Sequence, residues 1–185
     1  MIRTTLIATA LAATAIAAEA EPVTYAIDPT HTFVTFEIGH FGTTTNRGRF
    51  DKKSGSVQLD KAAKSGKAEI TIDTTSINTG TEAFNKHLQS ADLFDAAKYP
   101  TIRFVADRFG FSGDKVSEVA GQLTLLGKTL PVTLRAAQFN CYDSPMLKRE
   151  VCGGDFETSI VRSQFGMNYG LNWGFPDNVR LLVQI

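Results

Sequence analysis

The 185-residue sequence has no excess of either charge, with 19 Lys and Arg against 19 Asp and Glu. That balance excludes the basic surplus expected of a nucleic-acid binder and the polybasic face of a membrane-surface protein. Histidine is scarce, at His31, His40 and His87 only. No H-E-x-x-H, H-x-H or closely spaced carboxylate cluster accompanies them, so no metal centre is legible. G-x-S-x-G, G-x-G-x-x-G and the phosphate-cradling P-loop are all missing; Gly110-Phe111-Ser112-Gly113 comes nearest to a hydrolase elbow and reads as a loop. There is no C-x-x-C redox pair. Plain readings cover the remaining polar candidates. His31 sits in a turn at a strand start, His87 on a helix face, and Asp92 and Asp95 cap a helix. Arg162 reads as an outward-facing strand arginine, with contact to an anionic headgroup as the sharper alternative. No catalytic constellation emerges, and the chain is expected not to be an enzyme.

What is present begins with an address. Residues 1–20, MIRTTLIATALAATAIAAEA, open with Arg3, continue through an apolar run and close on Ala18-Glu19-Ala20. Small residues at the two positions inspected by a signal peptidase predict cleavage after Ala20 and export. The run is too short and too rich in alanine to suit a membrane anchor, and no later segment is apolar enough to span. In an oxidising compartment the two cysteines, Cys141 and Cys152, are most simply a disulfide. Two thiolates with no histidine nearby would leave a zinc half-coordinated. The bridged segment, NCYDSPMLKREVCGGDF, is full of turn formers and reads as a pinned loop.

From residue 25 onward the dominant period is two. Val34, Phe36 and Ile38 oppose Thr35 and Glu37; Val57 and Leu59 oppose Ser56 and Gln58; Ile70 and Ile72 oppose Glu69 and Thr71. The pattern recurs at Ile102 and Phe104, Leu123 and Leu125, Val132 and Leu134, and Val179, Leu181, Val183 and Ile185. Alternation of this kind marks antiparallel strands with one dry and one wet face. Lys53-Ser54-Gly55, Lys64-Ser65-Gly66-Lys67, Ser112-Gly113-Asp114 and Leu126-Gly127-Lys128 read as the turns between them. The exception is residues 81–98. Thr81 caps a short helix whose Phe84, His87 and Leu88 share one face, and a second turn starts at Asp92-Leu93-Phe94 and stops at Tyr99-Pro100. About eight strands and one helix make a single all-β domain over residues 21–185. Periodicity does not decide between a barrel and a sandwich.

Several segments together resemble the YceI family. They are Tyr25-Ala26-Ile27-Asp28-Pro29-Thr30-His31, Phe36-Glu37-Ile38-Gly39-His40-Phe41, Gly48-Arg49-Phe50 and His87-Leu88-Gln89-Ser90-Ala91-Asp92-Leu93-Phe94-Asp95. Lys98-Tyr99-Pro100-Thr101-Ile102-Arg103-Phe104, the Gly121–Val132 hairpin with its L-T-x-x-G-x-T-x-P-V pattern, and Arg162-Ser163-Gln164-Phe165-Gly166-Met167 complete the set. The match departs at Phe84-Asn85, where an Arg-Asp pair is common, and at Gln164, where Asp is frequent. The resemblance implies an eight-stranded antiparallel, lipocalin-like barrel, periplasmic, with the helical segment near residues 81–98 over its opening. It further implies an interior that holds a polyisoprenoid, quinone-like or fatty-acyl chain, and it allows a homodimer. The dry-face positions Phe36, Ile38, Ile70, Ile72, Phe104, Leu123, Leu125, Phe165 and Met167 would then line the lumen, with Leu88 and Phe94 contributed by the helical cover. No cofactor is expected beyond such a lipid, and no nucleic acid. Two other readings stay open: a quinone- or lipid-linked enzyme or electron-transfer accessory working through His87 or His40, and a solid sandwich acting through its outer surface.

Overall fold

The structure is a computed structural model and describes residues 21–185; the leader read from residues 1–20 lies outside the described residues. Eleven strands follow in chain order: β1 (Val23–Ala26), β2 (Phe33–His40), β3 (Thr44–Phe50), β4 (Lys53–Asp60), β5 (Ser65–Asp73), β6 (Ile77–Asn78), β7 (Thr101–Ser112), β8 (Lys115–Leu125), β9 (Lys128–Ser144), β10 (Arg149–Val161) and β11 (Asn178–Gln184). They form one antiparallel sheet in the order β1-β4-β5-β7-β8-β9-β10-β11-β2-β3-β6. The sequence expectation was eight strands. Alternation does not mark four of the eleven: β6 has two residues, β1 has four, β3 (TTNRGRF) is polar at nearly every position, and the first half of β10 reads as a loop.

The sheet closes through a single bent strand. β3 pairs with β2 and β4 pairs with β5, yet only Asp51 and Lys52 separate β3 from β4. The strands next to the two ends of the hydrogen-bonded order are therefore joined covalently, and the sheet curls into a barrel. Ser76 holds the corner: its carbonyl accepts from Asp51 N at 3.0 Å and its Oγ from Lys52 N at 2.9 Å. Short turns at 61–64, 113–114 and 145–148 lie at one end of the barrel. The other end carries the turns at 41–43 and 126–127, the 74–100 segment and the 162–177 segment. At 126–127 both residues have positive φ (50° and 73°), the twist-matched two-residue hairpin turn in which glycine is at ease and leucine is not.

Four local expectations are corrected. The segment 139–154 is not a pinned loop but the outer part of the β9–β10 hairpin, in register from Arg149↔Ser144 inward. Its disulfide joins directly opposed residues, Cys152↔Cys141, so the bridge reinforces strand pairing instead of holding a loop. Lys53-Ser54-Gly55 begins β4 and Ser65-Gly66-Lys67 begins β5, so neither is a turn; the turn between these strands is 61–64. The helix, α1, spans only Glu82–Gln89. Ser90 is extended and Asp95 has φ 42°, so residues 92–98 are turns, and neither Asp92 nor Asp95 caps a helix. Lastly, Arg162–Phe165 is a short 3-10 turn, not a strand.

Two apolar clusters fill the interior. The larger gathers Phe36, Phe50, Ile70, Ile72, Ile77, Leu88, Ile102, Leu123, Leu125, Val132, Ile160, Phe165, Met167 and Val179 toward the α1 end. The smaller, at the hairpin end, is built from Leu59, Ala68, Ala106, Val116, Val119 and Phe156. Phe104 and Ile185 pack against both.

Candidate functional site

All eleven side chains expected to face a lumen belong to the larger cluster. Phe36, Ile70, Ile72, Leu88, Leu123, Leu125, Phe165 and Met167 are buried in it, and Ile38, Phe94 and Phe104 pack against it, partly buried. They arrive from four strands, from α1 and from the two irregular segments at that end of the barrel. Three rings form its aromatic centre. Phe36 lies 6.4 Å from Phe50 and 6.5 Å from Phe94, and Phe50 meets Phe94 edge-on at 5.6 Å. These separations are the tilted and T-shaped contacts that aromatic quadrupoles favour. Gly48, directly opposite Phe36, makes room for the ring, because a Cβ there would stand 2.5 Å from it.

α1 is held over this cluster by a polar collar. Thr81 occupies the N-cap position, but its hydroxyl makes no capping bond. The order comes instead from Asn85, whose Oδ1 accepts from Thr79 N and Thr79 Oγ1, both at 2.8 Å. The helix end is fixed by Gln89 Nε2 donating to Thr75 O at 3.1 Å and Ser90 Oγ donating to His87 O at 2.7 Å. The Phe84-Asn85 pair thus has two tasks: Phe84 packs against the core and Asn85 ties the helix to the preceding turn. Phe94 then reaches the interior by a tight return, its N–H donating to Leu88 O at 3.0 Å.

Arg162 overturns the expectation of an outward strand arginine. It is 3 % exposed, and its guanidinium organises the segment that delivers Phe165 and Met167. Nε donates to Pro176 O at 3.0 Å, while Nη1 donates to Met167 O at 3.0 Å and Tyr169 O at 2.8 Å. Burial pulls its pKa down, opposed by the nearby Asp177 charge. Asp177 accepts from Ser163 N at 2.9 Å and Ser163 Oγ at 2.6 Å, and those bonds hold its carboxyl below the usual range. A planar fork satisfying three carbonyls explains why arginine stands here. The chemistry is structural, not catalytic, and sequence pattern gave no sign of it.

Around this end lies an aromatic rim that sequence reading also missed. Phe41 meets Phe175 at a tilt, 4.5 Å between ring centres, with His40 5.4 Å from Phe175, and His87 meets Tyr169 edge-on at 5.0 Å. His31 sits apart, Nδ1 2.6 Å from Asp28 Oδ2 in the turn before β2, as its turn reading predicts. Among the described residues one trio of metal-capable side chains converges, Cys141, Glu150 and Cys152, and its two sulfurs are bonded to each other. No helix among them is long and apolar enough to cross a membrane.

An antiparallel barrel with an apolar interior and a short helix at one end defines a lipocalin-like class of fold. The comparisons carry it further. A YceI-like domain matches residues 25–185. A UPF0312 protein of Pseudomonas aeruginosa (strain LESB58) is 36% identical over 149 residues, covering 78% of each chain. The crystal structure of Burkholderia cenocepacia BcnA matches with a TM-score of 0.73 at 26% identity, over 85% of this chain and 97% of that one. A polyisoprenoid binding domain from Saccharophagus degradans, implicated in plant cell wall breakdown, shares the fold with a TM-score of 0.61 at 15% identity, over 89% and 97%. The chain belongs to the YceI family.

Proposed function

We propose that this protein is an exported, non-catalytic carrier that holds a long-chain isoprenoid, quinone-like or fatty-acyl lipid in its barrel. Residues 1–20 are its leader, residues 21–185 its single lipid-binding domain, and the periplasm its compartment. The observation that carries the reading is the convergence of eleven large apolar side chains, widely separated in sequence, on one interior beneath α1. Its affinity for such a chain comes from removing hydrocarbon from water, about 0.8 kcal/mol for each methylene buried. Selectivity then follows the length and shape of the interior more than any hydrogen bond. The family's polyisoprenoid-binding neighbour supports the same ligand class.

Native mass spectrometry of the protein purified from its own compartment tests this, with solvent extraction to identify the mass increment. A stoichiometric long-chain lipid is the expected result. Neither a bound lipid nor saturable binding of polyprenyl or quinone ligands in titration would refute the proposal. Phe104→Arg and Leu125→Arg place a charge among the proposed lining residues and are expected to weaken binding by roughly tenfold or more. Circular dichroism of each variant separates lost binding from lost folding.

A further inference from the structure

The barrel wall is not continuous. β9 and β10 pair from Ser144↔Arg149 down to Arg135↔Glu157 and then separate. Beyond that point Lys128–Leu134 pairs only with β8, and Thr158–Val161 pairs only with β11. At the far end Lys128 Nζ donates to Gln164 O at 3.4 Å and closes the gap. Pro131, a residue that sheets confine to their edges for want of an N–H, stands within the unpaired stretch.

The gap is amphipathic. It holds a groove of about 330 Å³ in which Leu130, Val132, Ile160 and Phe165 meet Thr133, Arg135, Ser159 and Gln164; Val132, Ile160 and Phe165 belong to the larger interior cluster. Outward it continues into a recess of about 360 Å³ among Thr133, Arg135, Glu157, Thr158, Ser159 and Arg180. Glu157 is matched there by Arg180, whose Nη2 donates to it at 2.6 Å and whose Nη1 reaches Glu37 at 3.3 Å. Arg135 is less engaged: its side chain is 79% exposed, with Glu118 4.0 Å away. One opening therefore offers a guanidinium and the outward hydroxyls of Thr133 and Ser159 at its lip, and leads to the hydrocarbon of the interior cluster.

We propose that this opening is a side port. The tail of an anionic amphipathic lipid passes between β9 and β10 into the interior, while its head stays outside on Arg135 and the hydroxyls of Thr133 and Ser159. The inference rests on the lipid-binding reading and adds the route and the charge of the head. A lipid suits the gap better than an added peptide strand, because the gap grades from charge to hydrocarbon in one direction. A strand would present alternate side chains to both faces.

The test follows uptake of cis-parinaric acid and of its uncharged methyl ester from phosphatidylcholine vesicles by stopped-flow fluorescence. Ser159→Trp and Thr133→Trp, which obstruct the recess, are expected to slow both probes about tenfold, whereas Arg135→Glu slows the acid and spares the ester. Circular dichroism confirms that each variant is folded. Uptake of both probes at the unaltered rate by folded Ser159→Trp and Thr133→Trp overturns the port while leaving lipid binding intact; that is also the outcome if the edges receive a protein strand. Equal slowing of acid and ester by Arg135→Glu overturns the head contact. Failure of the unaltered protein to take up either probe removes the lipid-binding reading itself, and the port with it.

Discussion

The two ends of the barrel are closed by different physics. At the α1 end, large side chains from strands, helix and irregular segments meet around three phenylalanine rings, and a buried arginine shapes the backbone beneath them. At the hairpin end the buried cluster is smaller, with Ala68 and Ala106 where the other end has isoleucine and phenylalanine. Cross-links supplement it. Cys141–Cys152 ties β9 to β10, and Glu150 accepts from both Tyr25 Oη and Lys61 Nζ. Burial first, and then the bond to Glu150, push the Tyr25 phenol up to about 12. Apolar bulk is thus concentrated at one end and restraint at the other. The cross-links keep the end with the smaller core from fraying.

Three perturbations probe that contrast. Arg162→Met should have the largest effect, because it leaves the Pro176, Met167 and Tyr169 carbonyls without their donor in a buried setting. A loss of about 3–5 kcal/mol in urea unfolding is expected, with disorder centred on the α1 end in hydrogen exchange. Next comes the paired change Cys141→Ser with Cys152→Ser. Opening an eleven-residue separation should cost about 2–3 kcal/mol, with exchange rising along 139–154 and not around α1. Equal rises at both ends would mean that the two cores do not act separately.

The smallest effect is expected from Asp177→Asn and is best read against pH. The carboxyl's folded pKa lies below its ordinary 3.8, so its contribution is complete above that value and disappears as pH falls through the lower, folded one. The variant should therefore be less stable at neutral pH and lose less on acidification. Parallel acid-denaturation curves for the two proteins would show that Ser163 and Asp177 add nothing to the α1 end.

Much of the fold was legible because one dry face forces period two, and wherever a strand keeps it, as in Ile70-Thr71-Ile72 or Leu123-Thr124-Leu125, face and burial agree with the sequence reading. The hairpin end was harder to read. Register shifts near Ala106/Arg108, Gly110/Phe111 and Asp155/Phe156 break the alternation just where Ala106 and Phe156 enter the smaller core. A bulge adds one residue and reverses every face beyond it, so no fixed period can follow the strand through. Helix length was overestimated because the turn at Asp95 keeps Phe94 pointing inward without helical hydrogen bonds. Arg162 was misread for a related reason: its partners are backbone carbonyls, which no side-chain pattern records.

The bent strand β3–β4 has a consequence for how the molecule is assembled. Because that strand links β2's neighbour to β5's neighbour through the chain itself, the remaining closure falls to β11, which bridges β10 to β2 and sets Leu181 opposite Phe36. Until residues 178–184 are in place, β2 and β10 both lack a neighbour on that side, and the β11–β2 contacts that seal the first are among the most distant along the chain. Sealing should accordingly be a late and slow event in folding. A chain threaded through a narrow conduit from its N-terminus would stay pliable until almost all of it had crossed.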